Sequence, residues 1–239
     1  VRRVFHKPEL VRGRYQDALR GRLLDCVITD PPYSPVTMLG HNAGRDFVGD
    51  GNYRSEIGYG AWSEPDVEEF VQTVAPITVG WIVAFCDDEL IGAWKRSFRA
   101  AGLYAFPAIP YVDVGSRVRR VGDGSSQWTC FIMTARPRHR AFSTWGTLRG
   151  AYILPPGQRD RNSFGVRGLT GHKPLWLMRE LVRDYSRPND LVADPCAGGA
   201  HTLIAASQLG RRSFGCDADP ASYAVGAERV RLYNAGVRP

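Results

Sequence analysis

Three places in this 239-residue sequence put a carboxylate where an apolar run stops. The first is Asp30-Pro31-Pro32-Tyr33, which follows Leu23-Leu24-Asp25-Cys26-Val27-Ile28-Thr29. Two prolines end a strand because they cannot donate to its ladder. The rigid turn sets the Asp30 carboxylate beside the Pro31 carbonyl, an acceptor pair suited to the two hydrogens of one amino group. Tyr33 can stack on a flat ring, a contact worth ~1–3 kcal/mol. The same residues also make an ordinary turn. The second place is Asp194-Pro195-Cys196-Ala197-Gly198-Gly199-Ala200-His201-Thr202. Its small residues let a ligand approach the backbone, and a following helix offers free N–H groups. A bare strand-to-helix turn reads the same way. The third is Gly215-Cys216-Asp217. An acid ending a strand about 20 residues after a glycine-rich turn is placed to hold a pair of ribose hydroxyls. A surface carboxylate is the plainer reading of Asp217 alone.

These groups need a scaffold, and the hydrophobic pattern describes one. Residues 23–29, 80–86, 190–193 and 213–217 are mainly apolar runs of strand length, with further strands predicted over 103–114 and 128–134. Ser63-Glu64-Pro65-Asp66 opens a helix through about residue 74. Further helices are predicted over 87–101, 174–185, 202–209 and 220–233. Apolar strands alternating with helices predict an α/β fold, a mostly parallel twisted sheet covered on both faces. Such sheets bind ligands at the carboxyl ends of their strands, where all three carboxylates fall. Residues 34–62, rich in glycine and lacking a period, are expected to form one long loop, with Tyr53, Tyr59 and Trp62 as candidate stacking residues. Residues 136–168 are expected to be a loop-rich insertion in a single domain spanning 1–239.

Charge is concentrated. Gly115 to Gly168 holds ten arginines, no Lys or Glu and two Asp, in a chain of net charge +7. Arg117, Arg119, Arg120, Arg136, Arg138 and Arg140 are therefore candidate contacts to a polyanion, nucleic acid first, with a solvated basic face as the alternative. Five cysteines without a CxxC pair read as reduced thiols in a cytoplasmic protein. The histidine spacings include no HxxxH, so no metal is expected. No run of ~18 apolar residues predicts a membrane span. Residues 1–7 have no apolar stretch behind their charges, so no signal peptide is expected.

Taken together, the motifs resemble those of the S-adenosylmethionine-dependent DNA amino-methyltransferases. Asp30-Pro31-Pro32-Tyr33 resembles their catalytic motif and Asp194–Thr202 their cofactor loop. Asp217 resembles their ribose acid, and Lys173-Pro174 their Lys-Pro segment. The order of motifs is that of the circularly permuted beta class. The resemblance implies a Rossmann-like class I methyltransferase fold with S-adenosyl-L-methionine as cofactor. It also implies direct methyl transfer to the exocyclic amine of a flipped-out base, with no covalent intermediate. Asp30, Pro31, Pro32 and Tyr33 would be catalytic. Lys173, Pro174, Asp194, Pro195, Cys196, Ala197, Gly198, Gly199, Thr202 and Asp217 would bind the cofactor. The insertion stands where that class carries target recognition. Asp in first place goes with adenine N6 in the family and Ser more often with cytosine N4. The alternatives are cytosine N4 or a catalytically silent DNA-binding protein. Double-stranded DNA is the implied partner, with a homodimer as an option. The sequence departs from the family at Ala200 and His201. Alanine disfavours positive φ, so this turn must be reshaped or strained.

Overall fold

The structure, a computed structural model, describes residues 6–42, 60–114, 127–138, 145–156, 158, 163–169 and 171–239. In chain order the elements are β1 (Glu9–Arg12), α1 (Tyr15–Ala18), β2 (Leu24–Thr29), α2 (Pro35–Asn42), α3 (Glu64–Val74), β3 (Thr78–Cys86) and α4 (Ile91–Ala100). They continue with β4 (Leu103–Ala105), β5 (Ile109–Val112), β6 (Thr129–Pro137) and β7 (Tyr152–Ile153). The chain closes with α5 (Leu175–Tyr185), β8 (Leu191–Asp194), α6 (His201–Gln208), β9 (Arg212–Asp217) and α7 (Pro220–Asn234).

One sheet runs in the order β1-β9-β8-β2-β3-β6-β5-β7, with β4 also paired to β6. The half from β1 to β3 is parallel throughout. Beyond β3 the sheet turns mixed, because β6 runs antiparallel to β3, β4 and β5. Side chains alternate across each strand. On one face Cys26, Ile28, Trp81, Val83 and Phe85 pack with Leu177, Met178, Leu181 and Val182 of α5 and Ile204 and Ala205 of α6. On the other Val27, Ile82 and Ala84 pack with Phe70 and Val71 of α3 and Trp94 and Phe98 of α4. Burying side chains of this size stabilises by ~1.5–3 kcal/mol each.

Several expected boundaries move for local reasons. The stretch expected as one long loop begins with α2: Pro35 stands at the first helical position and the Ser34 hydroxyl accepts from Thr37 N at 3.3 Å. Residues 43–59, Tyr53 and Tyr59 among them, lie outside the described residues. The strand expected over 103–114 is split into β4 and β5 around Pro107, which has no N–H for the ladder. The helix expected from Asp87 begins at Ile91, because the Asp87 carboxylate caps the preceding turn by accepting from Leu90 N at 3.2 Å. β6 runs on into the presumed insertion, taking Ala135, Arg136 and Pro137 into the sheet, and β7 adds a short strand from it. β1 and α1 were not expected from the pattern, β1 being a four-residue edge strand that is mostly exposed.

Candidate active site

The sheet order places β9, β8 and β2 side by side and parallel, so Asp217, Asp194 and Asp30 stand in a row at neighbouring strand ends. They line one cavity of about 720 Å³, together with Pro32, Lys173, Pro195, Cys196, Ala197, Gly198, Gly199, His201 and Thr202. Of the sequence-predicted residues, Pro31, Tyr33 and Pro174 do not line it. Pro31 and Pro174 are buried behind it, Pro174 as the residue that precedes α5.

The Asp30 turn is held from both sides. Tyr33 Oη donates to Asp30 Oδ1 at 3.1 Å. Lys173 Nζ donates to both Asp30 oxygens, at 2.9 and 2.8 Å, and lies 5.0 Å from the Tyr33 ring centre and 4.9 Å from that of Phe85. Burial alone would lower the Lys173 pKa, but the Asp30 charge outweighs it and the net shift is upward, so the ammonium persists. Lys173, expected among the cofactor residues, is thus joined to the carboxylate of the first motif. On the far side the buried Asp87 anchors the exit of the turn: its Oδ2 accepts from Ser34 N at 2.8 Å and Thr37 Oγ1 at 2.6 Å. Trp62, a candidate stacking residue, packs instead among Tyr15, Phe70 and Trp94, though it reaches the cavity.

The loop after β8 is tied to β9. Asp217 Oδ2 accepts from Gly198 N at 2.8 Å and Oδ1 from Asp219 N at 2.9 Å. Burial raises the Asp217 pKa, and these two amides work against the rise. Asp194 is 3% exposed. Burial pushes its carboxyl up to about 7, with the Asp30 charge adding to the rise.

The departures at Ala200 and His201 have a structural counterpart. Ala200 sits at φ 60, ψ 20, the left-handed region, at a cost of ~1–2 kcal/mol for a residue with a Cβ. The expected strain is therefore present. It is held in place by Arg229 of α7, which is fully buried and donates to Gly199 O at 3.2 Å, His201 Nε2 at 3.2 Å and Val166 O at 3.3 Å. A Cβ on Gly199 would come within 2.3 Å of that guanidinium. Arginine only donates, so His201 Nε2 is the acceptor and its Nδ1–H donates to Lys173 O at 2.8 Å. Burial and the Arg229 charge lower the His201 pKa to about 4, which keeps the ring neutral. Sequence reasoning missed Arg229. The available signal was its helical register: it shares a face with the buried Ser222, Gly226, Val230 and Tyr233.

The arginine block separates. Arg136 is 2% exposed, lying within 6.0 Å of the Trp81, Tyr104 and Phe106 ring centres. The strand turns it inward, which removes it from the candidate polyanion contacts. Arg138 is exposed. Arg117, Arg119, Arg120 and Arg140 lie outside the described residues.

The cavity suits S-adenosylmethionine. Its ammonium and sulfonium are cationic and its ribose presents two hydroxyls, and the cavity is lined by six carboxylates, those of Asp30, Asp66, Glu69, Asp194, Asp217 and Asp219, and by a glycine loop whose backbone a ligand can approach. Among the described residues no group of three or more His, Cys, Asp or Glu is placed to hold a metal. No helix among them is long and apolar enough to cross a membrane.

Comparison with known proteins agrees with this geometry. Residues 149–228 match the family described as DNA methylase, the N6/N4 amino-methyltransferases. The chain is 24% identical to the YubD protein of Escherichia coli (strain K12) over 220 residues, 88% of this chain and 83% of that one. It is 47% identical to the type II methyltransferase M1.MboII of Moraxella bovis over 45 residues, 19% of this chain and 17% of that one. The fold matches the M1.HpyAVI–SAM complex with a TM-score of 0.68 at 19% identity, covering 94% of this chain and 99% of that one. It matches the cytosine-N4-specific PvuII DNA methyltransferase with a TM-score of 0.62 at 14% identity, covering 95% and 87%. The chain thus has a class I methyltransferase fold and is similar, over residues 149–228, to the DNA methylase family of N6/N4 amino-methyltransferases.

Proposed function

We propose that the chain methylates the N6 amine of adenine in double-stranded DNA. The observation that carries this is the row of three acids, with Asp30 of the Asp-Pro-Pro-Tyr turn one strand away from the cofactor loop. Bound S-adenosylmethionine supplies an electrophilic methyl group. The Asp217 carboxylate holds the ribose hydroxyls, and Asp194 faces the amino-acid end. Pro195, Cys196, Ala197, Gly198, Gly199 and Thr202 shape the wall, and Pro174 fixes the start of α5 behind it. Asp30 and the Pro31 carbonyl accept the two amine hydrogens and aim the nitrogen lone pair at the methyl carbon. The rate then comes from positioning and electrostatics. An amine inside a duplex is out of reach, so the base is turned out of the stack, with Tyr33 and Pro32 as its platform.

Arg138, exposed just after β6, is the described residue of the arginine-rich block proposed to meet DNA. The five cysteines are all free, which suits a cytoplasmic setting. Adenine is favoured by the acid at the first motif position. The structural likeness to a cytosine-N4 enzyme makes N4 the second reading.

The test is methyl transfer from labelled S-adenosylmethionine to unmethylated DNA, with product nucleosides resolved by mass spectrometry. N6-methyladenine is expected, and N4-methylcytosine would reverse the choice of base. Asp30→Ala is expected to abolish transfer while leaving cofactor binding within a fewfold of wild type. Loss of cofactor binding in that variant would overturn the role given to Asp30.

A further inference from the structure

Lys173 belongs to no helix or strand, yet it carries the ammonium that meets Asp30. Pro174 follows it and limits its backbone to extended conformations. That restriction does not say where along the cavity wall the residue is fixed. Its carbonyl does: Lys173 O accepts from His201 Nδ1–H at 2.8 Å.

His201 is the first residue of α6 and is 4% exposed. Its other ring nitrogen meets Arg229 Nη1 of α7 at 3.2 Å, and the same nitrogen of Arg229 donates to Gly199 O at 3.2 Å. A guanidinium donates and never accepts, so this contact requires a lone pair on Nε2 and leaves the proton on Nδ1. Arg229 therefore sets the tautomer, and the tautomer supplies the donor that Lys173 O receives. The His172 ring meets the His201 ring edge-on, with centres 5.0 Å apart and planes at 89°, which limits its rotation. Four elements are joined in series: α7 at Arg229, the start of α6 at His201, the approach to α5 at Lys173 and the end of β2 at Asp30. Few side chains could stand at 201, because the residue must accept at one atom and donate at another on the far side. Asparagine places an amide near the Nδ1 position only, glutamine near the Nε2 position only, and leucine offers neither.

We propose that His201 is a positioning residue: its Nδ1–H holds the Lys173 main chain, and with it the ammonium on Asp30, while Arg229 fixes the tautomer. The consequence for methyl transfer rests on the function proposed above; the placement of Lys173 does not.

The test uses the three lysines of the chain, Lys7, Lys95 and Lys173. The full chain is labelled with trace acetic anhydride, and acetylation of each lysine is read by mass spectrometry. Lys7 is exposed and Lys95 half-buried, so they serve as internal references. Lys173 is expected to be protected in wild type and freed in Asp30→Ala. His201→Asn keeps a donor toward Lys173 O and is expected to keep the protection. His201→Gln loses that donor but keeps an acceptor toward Arg229, and His201→Leu loses both. In each of these two Lys173 is expected to acetylate roughly tenfold faster, the worth of about one hydrogen bond. A variant that had merely unfolded would free Lys95 as well, and circular dichroism melting identifies it. Equal labelling of Lys173 in wild type and all three His201 variants would overturn the proposal. So would labelling of His201→Asn as fast as His201→Leu, since the contact with Arg229 alone would then matter. In steady-state transfer, His201→Gln is expected to turn over roughly tenfold more slowly than His201→Asn, with the KM for S-adenosylmethionine within about threefold. A raised KM at equal turnover would assign His201 to the shape of the glycine loop and overturn the proposal. A wild-type chain that transfers no methyl group would defeat the methyltransferase reading alone, because the labelling still decides what holds Lys173.

Discussion

Lys173 Nζ meets both oxygens of Asp30, at 2.9 and 2.8 Å, across 143 positions of sequence. The lysine side chain is 9% exposed and the aspartate 24%, so solvent screens the pair only in part. The ammonium keeps the Asp30 carboxylate aimed at the cavity where the proposed reaction receives an amine. Replacing it by the near-isosteric Lys173→Met removes charge-assisted hydrogen bonds worth ~1.5–3 kcal/mol. Transfer is expected to fall roughly ten- to hundredfold. Steady-state kinetics check this, and an unchanged turnover number would show that the pair is only structural.

The acid ending β8 makes the site sensitive to pH. Asp194 titrates at about 7 in the folded chain, against an ordinary value of 3.8. The native state therefore binds this proton more tightly than the unfolded chain does. Its contribution favours folding in acid and is lost as pH rises from about 4 through 7. A cationic cofactor reverses the preference, because it binds best to the ionised form. Cofactor affinity is expected to weaken below neutrality, with proton release on binding. Calorimetry near neutral pH in buffers of different ionisation enthalpy measures that release, and Asp194→Asn is expected to remove it.

Gly226 of α7 lies against the glycine loop after β8 with no room for a methyl group. A Cβ there would stand 2.4 Å from Gly198 O and 2.9 Å from Leu10 Cδ2. Gly226→Ala is expected to push the loop outward, weakening cofactor binding at least tenfold and lowering the melting temperature. A variant that binds the cofactor normally would mean that α7 shifts as a body and that the loop geometry is not set by this contact.

Two arginines close together in sequence are expected to behave in opposite ways. Arg138→Gln should weaken DNA binding and reduce the salt slope by about one, as for a phosphate contact. Arg136→Gln should leave the salt slope alone and lower stability instead, since its guanidinium is packed among rings. DNA affinity at several salt concentrations, with thermal melts, distinguishes the two.

The strand ends were legible in the sequence because each apolar run stops abruptly at an acid, so Asp30, Asp194 and Asp217 could be placed before any coordinates. What was illegible is instructive. An arginine on a buried helical face is spelled like one on the surface, which hid Arg229 and turned Arg136 from a core residue into a presumed contact. Lys173 was expected at the cofactor from the resemblance of Lys173-Pro174 to a Lys-Pro segment; it does line the cavity, and what the sequence could not show is that its long side chain also reaches Asp30 on the neighbouring turn. Glycine-rich surroundings masked the Ser34-Pro35 start of α2. β1 was too short and too exposed to show a period, and only its pairing with β9 makes it a strand.

The pairing of β2 with β8 joins Cys26 and Val27 to Val192 and Ala193, residues from opposite ends of the chain. Closing a loop of that length is slow compared with local helix and hairpin formation. During synthesis the Asp30 turn leaves the ribosome early and waits, without its neighbours, until β8 and β9 have followed. The pocket therefore exists in no nascent chain that stops before Asp217. A ligand that binds only the completed pocket stabilises only the completed fold, so cofactor present during synthesis favours the last and longest-range step of folding.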